Sequence, residues 1–166
     1  MVCHMHKDTH GLVIESGPGT GVFTQVLLDT GLATERLILL ERDASFAQRL
    51  REVFPHVRVL EGDAQNLKAL LCRHFVSQLP PVTSVISGLP LMSMPRLKRY
   101  RIVRSIMSCL APDGVYVQFV YGPVCPLSSS MQQRLGLRAY KHERIWRNVP
   151  PARVWTFTAS AMPYTR

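Results

Sequence analysis

Residues 11–32 constrain this chain more than any other stretch. An apolar run, Gly11–Ser16, passes through Gly17-Pro18-Gly19-Thr20-Gly21 into a segment with helical spacing that runs to about Leu32. Glycines at such a junction allow a tight turn and a close approach of backbone to a ligand. The same alternation recurs downstream. Leu37–Leu40 predicts a second strand, and Asp43 can cap a helix over Ala44–Phe54. Val57–Leu60 predicts a third strand, Gln65–Val76 a helix and Val82–Ser87 a fourth strand. Pro95 opens a helix to about Leu110, Pro112-Asp113-Gly114 reads as a turn, and Val115–Tyr121 is a fifth strand. Leu137–Ile145 and Arg153–Thr158 predict two last strands joined by Trp146–Ala152. Strands alternating with helices give an α/β fold, a mostly parallel Rossmann-like sheet with helices on both faces. A terminal strand pair without a helix adds an antiparallel edge hairpin.

The 166 residues fit one domain, 1–166, with Met1–His10 as a short leading segment. No apolar run approaches the ~18–20 residues of a membrane span, and Met1–His10 lacks the apolar stretch of a signal peptide. The four cysteines are scattered without a C-x-x-C pair, so neither a zinc site nor a disulfide framework is expected, and a cytoplasmic setting is.

The net charge is +9, and it is unevenly divided. Residues 1–63 hold nine of the eleven carboxylates and six of the twenty Lys and Arg, a net −3; residues 64–166 carry +12. The excess in the second half points to an anionic partner, nucleic acid or an acidic lipid surface. In the helix after Pro95, five basic residues (Arg96, Lys98, Arg99, Arg101, Arg104) accompany an apolar face of Tyr100, Val103, Ile106, Met107 and Leu110. Lys98 and Arg101 are expected to point away from that face, while Arg99 falls near it.

The glycine turn is G-x-G-x-G led by an acid, Glu15. It is not the dinucleotide fingerprint, which would need Gly at Val22, and no Walker Lys follows. A Gly-rich turn without a ligand is the bland alternative. Two more acids follow at strand ends. Glu41 lies twenty residues past Gly21, where a carboxylate can accept both hydroxyls of a ribose; it can equally pair with Arg42 or cap the next helix. Asp63, in Gly62-Asp63-Ala64, can cap the following helix. The three acids at consecutive strand ends are expected to face one crevice.

The leading acid and the spacing resemble motif I of class I S-adenosylmethionine methyltransferases. The resemblance implies S-adenosylmethionine (SAM) as cofactor and no metal. It implies contacts from Glu15, Gly17, Gly19, Gly21, Glu41, Arg42, Asp63 and Ala64, with Glu15 near the methionyl amine and Asp63 accepting from the adenine amino group. Ser87-Gly88-Leu89-Pro90-Leu91 stands where amino-methylating relatives hold the acceptor nitrogen, and it carries no base-stacking aromatic. With Tyr121-Gly122-Pro123 and Trp146-Arg147-Asn148-Val149-Pro150-Pro151-Ala152, it resembles the bacterial phospholipid N-methyltransferases, over about residues 11 to 158. Similarity to the rRNA adenine dimethylase branch is weaker.

The lipid resemblance implies methyl transfer to the amine of phosphatidylethanolamine or a related amino phospholipid. This is a step toward phosphatidylcholine, made by a peripheral protein on the inner membrane. Ser87, Gly88, Leu89, Pro90 and Tyr121 would be catalytic, with Tyr121 orienting the amine and Arg147 and Asn148 holding the lipid phosphate. Each has a plainer alternative: Tyr121 as a half-buried strand residue, Arg147 as a solvated loop charge. Relatives of this kind carry a longer N-terminal region with an amphipathic helix. Met1–His10 is too short to supply it, so weak cofactor binding and slow turnover are expected. RNA as substrate, or a catalytically idle fold that only binds, are the competing readings.

Overall fold

The computed structural model describes residues 11–122, 124–145 and 152–160. Seven strands form one sheet in the order β3-β2-β1-β4-β5-β7-β6. They are β1 (Leu12–Ser16), β2 (Leu37–Glu41), β3 (Arg58–Glu61), β4 (Val82–Ser87), β5 (Leu110–Tyr121), β6 (Leu137–Ile145) and β7 (Ala152–Ala159). The first five run parallel, and β7 and β6 add antiparallel pairs at one edge. This is the sheet expected from the sequence.

The helices are α1 (Val22–Asp29), α2 (Ala44–Val53), α3 (Leu67–His74), α4 (Arg96–Met107) and α5 (Ser129–Leu135). Strand side chains alternate between two apolar layers. Ile14, Leu40, Val85, Tyr116 and Phe157 face Leu67, Leu71, Ile102, Ile106 and Met131 of α3, α4 and α5. Val13, Leu39, Ile86, Val117 and Val154 face Leu27 and Leu50 of α1 and α2. Because both faces are covered, β1, β2 and β4 are buried along their whole length. Asp43 caps α2 as expected, its Oδ1 accepting from the Ser45 and Phe46 amides at 2.9 and 3.1 Å.

Four expectations need correction. The helix after Pro95 stops at Met107, a turn short of Leu110, which already begins β5. Pro112-Asp113-Gly114 is not a free turn before the strand. Val82 pairs with Leu110 and Ser84 with Val115, so residues 111–114 bulge out of a continuous pairing. The segment Gln65–Val76 splits into a 3-10 turn, Ala64–Asn66, and the shorter α3. Helix α5 was not expected at all; Ser128 caps it and Gly136, at φ 61°, ends it.

Chain order places β4 beside β1 although β2 and β3 intervene in sequence. Connections therefore leave β1 and β4 in opposite directions. A crevice opens at such a switch point, outside the carboxyl ends of the strands.

Candidate active site

The strand ends are tied together at this point. The Gly17 amide donates to the Leu40 carbonyl (2.9 Å), Gly62 to Glu41 (2.8 Å) and Gly88 to Ser16 (3.0 Å). Gly17 has φ +73°, and a Cβ built on it would lie 2.7 Å from Leu89 Cδ2. The glycine turn after β1 and the Gly88-Leu89 turn after β4 are thus in direct contact, which only a residue without a side chain permits. Gly19 has φ +55° and open space where a Cβ would stand.

On one side of Gly17 lies a crevice lined by Ser16, Glu41, Arg42, Asp63, Ala64, Leu89, Pro90 and Lys98. Glu41 is buried. Its Oε1 accepts from the Arg42 and Asp43 amides at 2.7 and 3.0 Å, and its Oε2 from the Gly19 amide at 3.2 Å. It holds the glycine turn and starts the next segment, and it does not pair with the Arg42 guanidinium. That group lies 4.0 Å from Asp63 instead. Asp63 Oδ1 accepts from the Gln65 amide at 2.9 Å, while Oδ2 faces Lys98 Nζ at 3.5 Å. Burial opposes ionisation of Asp63, but the Gln65 amide and Lys98 outweigh it and hold the carboxyl below its ordinary value. Ser16 Oγ is buried in this crevice without a hydrogen-bond partner. It is the orphaned polar atom that a ligand would satisfy.

Glu15 departs from expectation. It does not share the crevice of Glu41 and Asp63. It opens on the other side of Gly17, into a pocket with Val22, Phe23, Val26, Gly88 and Phe119. Glu15 is 2% exposed. Its Oε2 accepts from Thr24 Oγ1 at 2.6 Å, and among the described residues no Lys or Arg lines its pocket. Burial, only partly offset by Thr24, pushes its pKa from 4.5 to about 7. Among the described residues this buried carboxyl is held by one hydroxyl and faces no cation.

The Ser87–Leu91 turn borders a third groove, lined by Gly88, Leu89, Pro90, Leu91, Met92, Phe119 and Val120. Ser87 is corrected here: its side chain is buried and its Oγ accepts from the Leu89 amide at 3.2 Å, so it shapes the turn and does not point at an acceptor. Gln118, missed in the sequence, clamps the turn. Its Nε2 donates to the carbonyls of Ser87 (3.2 Å) and Leu89 (3.0 Å), and its Oε1 accepts from the buried Tyr116 hydroxyl. Burial raises the pKa of that hydroxyl far above its ordinary range, so it remains a donor. We expect Tyr116→Phe to cost about 2 kcal/mol in a denaturant titration, because Gln118 Oε1 is left buried and unpaired. An unchanged midpoint would remove Gln118 from this role.

Phe119, also missed, lines both the Glu15 pocket and the groove beside Gly88 and meets Phe23 edge-on, ring centroids 5.3 Å apart. Its alternation with buried Val117 was the available signal. Lys98 is corrected from an outward residue to a half-buried crevice residue, because α4 packs against the 3-10 turn after Asp63. Arg99, expected near the apolar face, turns inward: its guanidinium donates to the carbonyls of Met92, Met94 and Pro126. Tyr121 ends β5 opposite Ala152; its side chain, Arg147, Asn148 and Met1–His10 lie outside the described residues.

No family model matches the chain. An ornithine lipid N-methyltransferase from Singulisphaera acidiphila is 36% identical over 115 residues, 68% of this chain and 58% of that protein. A ribosomal RNA small subunit methyltransferase A from Phenylobacterium zucineum is 42% identical over 77 residues, 42% of this chain and 26% of that protein. The match thus spans little more than half of the first relative and about a quarter of the second. Among solved structures, a TehB-like SAM-dependent methyltransferase from Corynebacterium glutamicum aligns with a TM-score of 0.62 at 17% identity, covering 91% of this chain and 81% of that one. The chain has the Rossmann-like fold of these methyltransferases.

Proposed function

We propose that the chain is a SAM-dependent N-methyltransferase whose acceptor is the amine of a lipid. The observation that carries the cofactor reading is Glu15, a buried carboxyl with no cationic partner in its pocket, two residues from the glycine turn. The donor set suits SAM. Glu15 would take the methionyl ammonium, Gly17 and Gly19 would let backbone approach, and Glu41 would accept from the ribose hydroxyls. Asp63, with Ala64 beside it, would receive the adenine amine. Bound SAM supplies an electrophilic methyl group on a sulfonium.

The chain's own part begins with the acceptor amine, which must be neutral to react. The groove beside Gly88 is lined almost entirely by apolar side chains, and desolvation there disfavours the ammonium form. Gln118 holds the Ser87-to-Leu89 backbone rigid, so an amine resting on that turn is held in one orientation. A groove of Leu, Pro, Met and Val suits an acyl-bearing molecule, and the relative from Singulisphaera acidiphila, named for N-methylation of a lipid, supports the same class. We assign phosphatidylethanolamine or a related amino phospholipid, methylated toward phosphatidylcholine on the inner membrane surface. Tyr121 would orient the amine, and Arg147 and Asn148 would hold the phosphate. Among the described residues no helix is long and apolar enough to cross a membrane.

A second reading has its own observation. The Phe119 ring beside Gly88 offers a stacking surface for a planar base, and the ribosomal RNA methyltransferase relative matches part of the chain. Incubation with labelled SAM and either phosphatidylethanolamine dispersions or structured RNA separates the two. We expect label in the lipid amine. Label in RNA alone would replace the lipid reading, and label in neither would favour an idle fold.

A further inference from the structure

Helices α3 and α4 and the turn before α3 border a wide, open surface cleft of about 640 Å³. Lys68 of α3 and Arg101 and Arg104 of α4 line it together with Asn66. Among the described residues none of these three cations makes an ion pair. They differ in this from Lys98, one turn nearer the crevice, which Asp63 neutralises. Three uncompensated charges around one concave surface create a field that an anion would relieve.

The surroundings narrow the anion. Leu97, Arg101 and Arg104 recur at helical spacing on α4. Leu97, one turn before Arg101 and between this cleft and the face toward α5, is 60% exposed. An exposed leucine in line with unpaired cations suits an interface with acyl chains below and phosphates above, more than the uniformly polar backbone of RNA. The cleft also adjoins the crevice: Asp63 and Ala64 line one, and Asn66 the other.

We propose that the α3–α4 cleft binds the phosphate groups of an anionic lipid surface and so brings the mouth of the crevice to the bilayer. This deepens the lipid reading above and rests on it. The test is co-sedimentation of the whole chain with vesicles of phosphatidylglycerol and phosphatidylcholine, without SAM. The double variant Arg101→Gln/Arg104→Gln should bind about thirtyfold more weakly, from ~1 kcal/mol for each basic residue near the surface. Arg49→Gln/Arg51→Gln, which removes as much charge from α2, should bind nearly as the parent does. Arg101→Lys/Arg104→Lys should retain binding, which guards against a variant that merely misfolds.

Equal weakening by the α2 and α4 doubles would overturn the proposal, since net charge alone would then explain binding. So would tighter binding of structured RNA than of vesicles, with the same dependence on Arg101 and Arg104. Inorganic phosphate that displaces the chain from vesicles at low concentration would mark a small-ion site and also overturn it. Methyl transfer to detergent-dispersed lipid is measured separately. If that persists while vesicle binding ignores Arg101 and Arg104, the cleft assignment fails and the catalytic reading stands.

Discussion

Glu41→Ala should lower the affinity for S-adenosylhomocysteine, measured by calorimetric titration, by about a hundredfold. The carboxylate sits at the end of β2, fixed by the Arg42 and Asp43 amides on one oxygen and the Gly19 amide on the other. It would carry two charge-assisted bonds to a ribose and also hold the glycine turn in shape, so both contributions vanish together. The amides it releases belong to the exposed Arg42 and Asp43 and the half-buried Gly19, where water can take its place, so the thermal midpoint should move little. Glu41→Gln retains one acceptor oxygen and should fall between the two. An affinity within a few-fold of the parent would mean that Glu41 only organises the turn.

The second large effect is a pH dependence. Glu15 keeps its proton up to about pH 7 in the folded chain, whereas an ordinary carboxyl sheds it near 4.5. Between those values the folded state binds more protons than the unfolded state. Stability therefore falls as pH rises through that window and levels off above it. The shift corresponds to about 3 kcal/mol. Denaturant titrations at pH 5 and pH 8 should show Glu15→Gln gaining that much on the parent at the higher pH. Parallel curves for the two proteins would refute the burial argument. Thr24→Val removes the one group that favours ionisation and should move the window upward. A cationic ligand at Glu15 draws the carboxyl back to its charged form, so SAM affinity should increase as pH passes through 7.

These sites differ in how far the sequence reveals them. Glu15, the glycine turn, Glu41 and Asp63 are legible because each stands at a strand end, and strand ends follow from apolar runs and turn residues within a few positions. The edge hairpin is legible for the same reason. Lys98 is not, because its partner lies across the packing of α4 on the turn after β3, and periodicity alone places it outward. Gln118 and Phe119 are adjacent on β5 and face opposite sides, one clamping a backbone turn and the other lining a groove. Their roles depend on which strands flank β5. Helix α5 is only seven residues long and follows a serine run, Ser128-Ser129-Ser130, whose first member caps it, so it leaves little periodicity to read. The two pockets that hold the acids meet at Gly17, and Leu89, a residue far along the chain, packs against that glycine.

That contact between Gly17 and Leu89 has a thermodynamic consequence. The proposed donor site and the proposed acceptor groove would share these few atoms as a wall, joined further by the Gly88 amide on the Ser16 carbonyl. Two ligands that share a wall have linked affinities. Whatever factor a bound donor applies to the acceptor, the acceptor must apply to the donor in return.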